Sequence, residues 1–182
     1  MVKTMKWMIA SDLHGSAYYC QKLWERYEAE GAERLLFLGD LLYHGPRNDL
    51  PKDYAPKQVI QMFNAHKNDV LCVRGNCEAE VDQMVLEFPV LADYAFLEIE
   101  GVRIFATHGH LYENTDHLKS GDIYLQGHTH IPCCEENKGV ICMNPGSLSI
   151  PKEQSAHSYM ILDQGVFEWK DIDGNIYKTY KK

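Results

Sequence analysis

An α/β fold is what this chain of 182 residues predicts, on three observations. Short, near-continuous apolar runs recur along it, as expected of strands covered on both faces. A segment with helical spacing separates the first two runs, and strand and helix patterns alternate through the first half. After about residue 90 the pattern changes to hairpins.

The elements follow in order. "MKWMIAS" (5–11) is the first predicted strand. "SAYYCQKLWERYEAEG" (16–31) is a crossover helix, with Leu23 and Tyr27 at i, i+4 and Tyr19 as a further candidate for the same stripe. Ser16 is its candidate N-cap and Gly31 its stop. "RLLFLG" (34–39) is the second strand, and "LLYHGPRNDLPKDYAPK" (41–57) is irregular because Pro46, Pro51 and Pro56 interrupt it. A loop this long is usually functional or mobile, and both a lid and a subunit contact stay open for it. "PKQVIQMFNAHK" (56–67) reads as a second helix, "DVLCVRG" (69–75) as the third strand, and "EAEVDQMVLEF" (78–88) as a shorter helix ahead of Pro89. "YAFLEIEGVRIFATHG" then turns at Glu100–Gly101, with "VRIFAT" (102–107) as its second strand. "DIYLQG" (122–127) is another strand, and "IPCCEENKGVICMNPG" turns near Asn137–Gly139. The tail offers two or three more strands, with turns at Asp163–Gly165 and Asp173–Gly174.

The length fits one domain spanning 1–182 with a substantial core. Lys plus Arg 18 against Asp plus Glu 26 gives a net charge of −8, which disfavours broad binding to nucleic acid or anionic lipid. Any anionic substrate must therefore be held locally. Six cysteines without a CxxC pair read as reduced thiols rather than a disulfide framework. The opening "MVKTMKWMIASD" is too briefly apolar for a leader or membrane span, so a cytoplasmic location is expected.

Five apolar runs end at potential metal ligands: Asp12 and His14, Asp40, Asn76, His108 and His110, and His128 and His130. At the carboxyl ends of strands in an open α/β sheet such groups can converge along one edge. Within "DLH" and "HTH" the paired residues are two apart, so in extended backbone both side chains face the same way. Glycine before Asp40, Asn76 and His128 allows a tight turn or close approach. Each motif alone has an ordinary reading as a cap or turn; five strand ends in one chain do not. Carboxylate, carboxamide and imidazole donors suit Mn²⁺, Fe or Zn²⁺, and their number suits two ions sharing a carboxylate. Cys133 and Cys134 fit alternate faces of a strand better than a soft-metal site, and His44, in the proline-rich loop, is an outlying candidate.

The order "DLH … GD … GN … THGH … GHTH", with "HGPRNDLP", "RGNCEAEVDQM" and "NPGSLSIPK", resembles the calcineurin-like metallophosphoesterase superfamily over nearly the whole chain. More narrowly it is similar to the small single-domain bacterial phosphodiesterases. The resemblance implies a four-layer α/β/β/α sandwich, two mixed sheets face to face and flanked by helices. It implies one ion on Asp12, His14 and His130, the other on Asn76, His108 and His128, and Asp40 bridging, with Mn²⁺ preferred and Fe, Co, Ni or Zn²⁺ also accepted by the donors. It implies hydrolysis of a small-molecule phosphodiester by a metal-bridging hydroxide, with Asp40 and Asn76 as catalytic residues. His110 is then outside the ligand set, Arg74 is a candidate charge near the substrate, and Cys77 stands where many superfamily members carry a histidine near the leaving group. A phosphomonoesterase or nuclease of the same superfamily, or a scaffold that keeps the fold, are the alternatives; loss of ligand residues would favour the scaffold, and all seven are present. Homo-oligomerisation stays open.

Overall fold

The computed structural model describes residues 5–112 and 114–182. The first four residues of the stretch read above for a leader lie outside them. Two sheets result. In the first, β1 (Trp7–Ala10), β2 (Arg34–Phe37) and β3 (Val70–Cys72) are parallel neighbours, and β9 (Ser158–Asp163), β10 (Val166–Asp171) and β11 (Ile176–Lys181) continue antiparallel from β1. The second has the order β4 (Tyr94–Ile99), β5 (Val102–Thr107), β6 (Ile123–Leu125), β8 (Val140–Asn144), β7 (Cys133–Asn137), parallel at β5–β6–β8 and antiparallel at both edges.

The apolar runs are continuous because the first sheet is covered on both sides. Met8, Leu35 and Val70, in register across β1–β2–β3, face the helices; Ile9, Leu36 and Leu71 face the other sheet. Against the first face packs α1 (Ala17–Glu30), opened by Ser16, whose hydroxyl accepts from the Tyr19 N–H, and closed by Gly31 at φ 63°. Its buried stripe is Cys20, Leu23, Trp24 and Tyr27, while Tyr19 is half-buried and stacks on His157. With it lies α2 (Pro56–Ala65), where Pro56 takes the first turn, the place a missing N–H costs nothing. The third helix, α3 (Glu80–Val85), is shorter than the predicted 78–88: Leu86 leaves the helix and is buried in the core instead.

Ile104, Ala106, Ile123, Leu125 and Met143 of the second sheet meet Leu36, Met160, Leu162 and Trp169 of the first. Burying a side chain of that size stabilises by about 2–3 kcal/mol. The helical cover is one-sided among the described residues. Over the outer face of the second sheet run residues of the 111–121 segment, with Tyr112 and Leu118 packed on Phe105 and Tyr124. That crossover is polar and lacks an apolar stripe long enough to seat a helix. Tyr94 and Phe96 on the edge strand are left about half exposed.

Candidate metal centre

The five ligand-bearing turns leave the carboxyl ends of β1, β2 and β3 in one sheet and of β5 and β6 in the other, so the site is closed from two facing sheets rather than laid along one edge. Extended backbone is not what aims the paired residues. Asp12 (φ 57°), His14 (φ 50°), Asp40 (φ 58°), His128 (φ 66°) and His130 (φ 62°) are all left-handed, because the chain must coil immediately after each strand to face inward. Such a conformation costs a non-glycine residue about 1–2 kcal/mol, offset by dense bonding. His14 N–H donates to Asp40 O at 2.9 Å, and the hydroxyls of Ser147 and Ser149 donate to Asp12 O at 2.8 and 3.2 Å. The glycines are needed for close approach: a Cβ on Gly75 would lie 2.1 Å from Asp40 Oδ1, and one on Gly39 only 2.4 Å from Gly75 N.

Three imidazoles have their tautomer fixed. Nδ1 of His14 bonds Tyr43 O at 2.8 Å, that of His108 bonds Leu38 O at 2.6 Å, and that of His130 bonds Ile150 O at 2.7 Å. A carbonyl only accepts, so each Nδ1 carries the proton, and the neutral ring presents the Nε2 lone pair to the centre. There Nε2 of His14 and His130 stand 3.2 Å apart, His130 Nε2 is 3.1 Å from Asp12 Oδ1, and His108 Nε2 is 3.1 Å from Asn76 Oδ1 and 3.5 Å from Asp40 Oδ2. Asp12 Oδ1 is buried and accepts no hydrogen bond. Lone pairs converging on lone pairs in a buried space repel unless cations lie between them, and this donor set fits divalent metal.

Donor atoms of Asp12, His14 and His130 all lie within 4.8 Å of one another, as do those of Asp12, Asp40 and His108. Asn76 joins the second group through its contact with His108, and the His128 ring lies 5.0 Å from that of His108. A third group is His14, Asp40 and Cys77, so the thiol is closer to ligand range than a purely flanking role requires.

The electrostatics match a site that takes protons when it holds no cation. Burial would raise the Asp12 carboxyl, but the His130 and His14 rings beside it hold it well below the usual carboxylate range. Burial disfavours charge on His108, yet Asp40 and Asp12 outweigh it and bring its pKa up to about 9. His128 and His110 go down, through burial and then the charge of His108.

The remaining candidates lie outside the donor cluster, and two residues that support the site were not singled out in the sequence. Arg74 is ion-paired to Asp93 at 2.6 Å and is not among the residues lining the cleft. His110 stands behind His108 with ring centroids 5.4 Å apart, and its buried Nδ1 has no hydrogen bond. His44 packs edge-on to Tyr54 and likewise stays out of the cleft lining. Among the described residues no metal-binding group includes Cys133 or Cys134, and all six cysteines are unpaired. Glu78 was unforeseen: its carboxylate accepts from the N–H groups of Asp40 (2.9 Å), Leu41 (2.7 Å) and Gly75, clamping the turns after β2 and β3 together. Asn144 does similar work across the sheets, donating to Gly127 O at 2.7 Å and accepting Trp169 Nε1–H on its own carbonyl at 2.8 Å. These contacts run through backbone groups, which leave no spacing in a sequence.

The cleft over the centre is about 530 Å³, with His14, Asp40, Asn76 and His128 among its lining. Gly45, Pro46, Arg47 and Asn48 of the proline-rich loop form one wall, and Thr129 and Lys152 stand elsewhere on its lining.

Comparisons with known proteins agree with this arrangement. The family described as the calcineurin-like phosphoesterase superfamily domain matches residues 5–165. The chain is 46% identical over 164 residues to phosphodiesterase YfcE of Escherichia coli, covering 89% of each. It is 27% identical to the probable metallophosphoesterase YsnB of Bacillus subtilis, over 94% of each. The solved structure of YfcE, described as a phosphoesterase from E. coli, superposes with a TM-score of 0.93 at 43% identity, over 97% of this chain and 98% of that one.

Proposed function

The chain belongs to the calcineurin-like phosphoesterase superfamily, and on that premise we propose that it is a metal-dependent phosphodiesterase acting on a small-molecule phosphodiester in the cytoplasm. The observation that carries the proposal is the buried convergence of Nε2 and carboxylate lone pairs with Nδ1 protons turned away. The 46% identity to a protein named phosphodiesterase supports the reaction class. We assign one ion to Asp12, His14 and His130 and a second to Asn76, His108 and His128, with Asp40 shared between them. Mn²⁺ is our choice of metal.

Divalent cations bound there polarise phosphoryl oxygens and make an attacking water more acidic at neutral pH. The chain's own residues hold and orient. The Nδ1 tethers fix the imidazoles, and Cys77 N–H, donating to Asp40 Oδ1 at 2.9 Å, fixes the shared carboxylate. Asn76 bonds Cys77 Sγ through its NH₂ at 3.3 Å, a weak contact that it can exchange for a phosphoryl oxygen. A net charge of −8 disfavours a broad basic surface for a polynucleotide, which supports a small diester over a nuclease substrate. No helix among the described residues is long and apolar enough to cross a membrane.

The test is hydrolysis of bis(4-nitrophenyl) phosphate and 4-nitrophenyl phosphate by chelated protein before and after Mn²⁺ is restored. Metal-dependent preference for the diester is expected. Preference for the monoester would make the protein a phosphomonoesterase, and no turnover of either would favour a scaffold.

A further inference from the structure

Two cations on the cleft lining are unused by the chemistry above. Arg47 and Lys152 both line the cleft and both are exposed. Neither forms an ion pair among the described residues, whereas Lys6, Arg26, Arg34, Lys67, Arg74 and Lys170 each meet a carboxylate. Of the Lys and Arg side chains among the described residues, these two stand on the cleft lining.

Both are presented by built turns tied to the same end of the centre. Tyr43, four residues before Arg47, gives its carbonyl to His14 Nδ1 at 2.8 Å; Ile150, two before Lys152, gives its own to His130 Nδ1 at 2.7 Å. Asn48 Nδ2 donates to His44 O at 2.8 Å, closing the chain around Pro46 and Arg47. Beyond Lys152 the turn is fixed by Ser155 N–H on Lys152 O at 2.9 Å, with Glu153 and Gln154 left-handed at φ 52° and 60°. A guanidinium fork and an ammonium point charge on the lining of one cleft suit a phosphate dianion.

We propose that Arg47 and Lys152 form an anion subsite for a second phosphate, so that the substrate class is a phosphodiester with a phosphorylated substituent. The inference rests on the phosphodiesterase reading for the bond that is cleaved. Exposed charge-assisted contacts of this kind give a preference of about tenfold.

The experiment compares two aryl diesters, one with a 2-phosphoethyl and one with an ethyl second substituent, on the full-length protein with Mn²⁺. The wild type is expected to favour the phosphorylated diester about tenfold in kcat/KM, through KM. That ratio should fall towards one in the Arg47→Gln, Lys152→Met double variant and recover in part in Arg47→Lys, Lys152→Arg. A wild-type ratio near one, or a ratio that survives in the double variant, overturns the subsite. Calorimetric titration with inorganic pyrophosphate and orthophosphate reads the subsite without turnover: the preference for pyrophosphate should shrink about tenfold in the double variant, and an unchanged preference overturns it. If the wild type cleaves neither diester while its pyrophosphate preference still depends on these two cations, the phosphodiesterase reading fails and the subsite stands.

Discussion

At Cys77 the main chain and the side chain do different things. The N–H is bonded to Asp40 Oδ1, and the thiol faces the cleft. Without metal, burial, reinforced by the charge of Asp40, pushes the thiol pKa up and makes it a poor proton donor to a departing oxygen, while bound cations would favour a thiolate that has no proton to give. Cys77→Ser is therefore expected to keep kcat/KM for an aryl diester within about tenfold of wild type, and Cys77→His to raise rates selectively on poorer leaving groups. Loss of turnover on every substrate in Cys77→Ser would show that the thiol itself is required, as a ligand or acid. One residue further on, Glu78 holds three amides. Glu78→Gln replaces a carboxylate with one carbonyl and an NH₂ that confronts an N–H, so it should cost about 1–3 kcal/mol in denaturant unfolding and weaken metal affinity. Unchanged stability and metal content would remove the clamp from the account. Glycine spacing and the order of potential ligands made the centre legible in the sequence; Glu78 was not, because nothing distinguishes its carboxylate from any surface glutamate until the turns it bridges are folded together.

Elements governed by local chemistry were legible, and those governed by the meeting of two segments were not. Ser16 and Gly31 cap α1 as their side-chain chemistry requires, and Glu100–Gly101 takes the left-handed pair (φ 54° and 77°) that a tight hairpin needs. The left-handed Asp12 and His14 could not be read locally, since it is contact with the Gly39–Leu41 turn and with Ser147 that holds them. The predicted loop is irregular only over 41–55, since Pro56 opens α2, and its far end is structural: Lys52 O receives the Ser16 hydroxyl at 2.5 Å, and Asp53 O receives Ala17 N–H at 2.8 Å. Deleting Arg47 to Asp53 is thus expected to lower the melting temperature by several degrees as well as to raise KM, while replacing only Arg47 to Leu50 by glycines should raise KM with a smaller thermal cost. Identical melting curves for the two would show that the Lys52 and Asp53 contacts do not support α1.

Across the whole molecule the inter-sheet core joins both halves of the chain, so one cooperative calorimetric transition is expected, and its pH dependence follows from the centre. Without metal, burial and then the charge of Asp40 raise the Glu78 carboxyl from 4.5 to about 7; ionising it is penalised in the fold, and stability falls as pH rises across that window. His108, raised from 6.5 to about 9, contributes fully below 6.5, and that contribution is lost as pH climbs through 9. Both slopes have the same sign, and the opposite slopes of the lowered His110 and His128 are confined to the low end of the range, so metal-free protein should melt lower at pH 9 than at pH 6. Mn²⁺ competes with those protons, and the melting temperature it adds should be larger at pH 8 than at pH 6; an equal gain at both would mean that metal does not replace protons at this centre. The measurement that bears most directly on the central claim is turnover of bis(4-nitrophenyl) phosphate during titration of chelated protein with Mn²⁺, alongside metal content, for wild type and Asp40→Asn. The expected result is no turnover in the chelated wild type, activity that saturates at about two ions per chain, and an Asp40→Asn variant that keeps its secondary structure but loses metal and activity together, since a neutral bridge cannot hold two cations close. Full turnover by metal-free protein, or by Asp40→Asn with no bound metal, would contradict it.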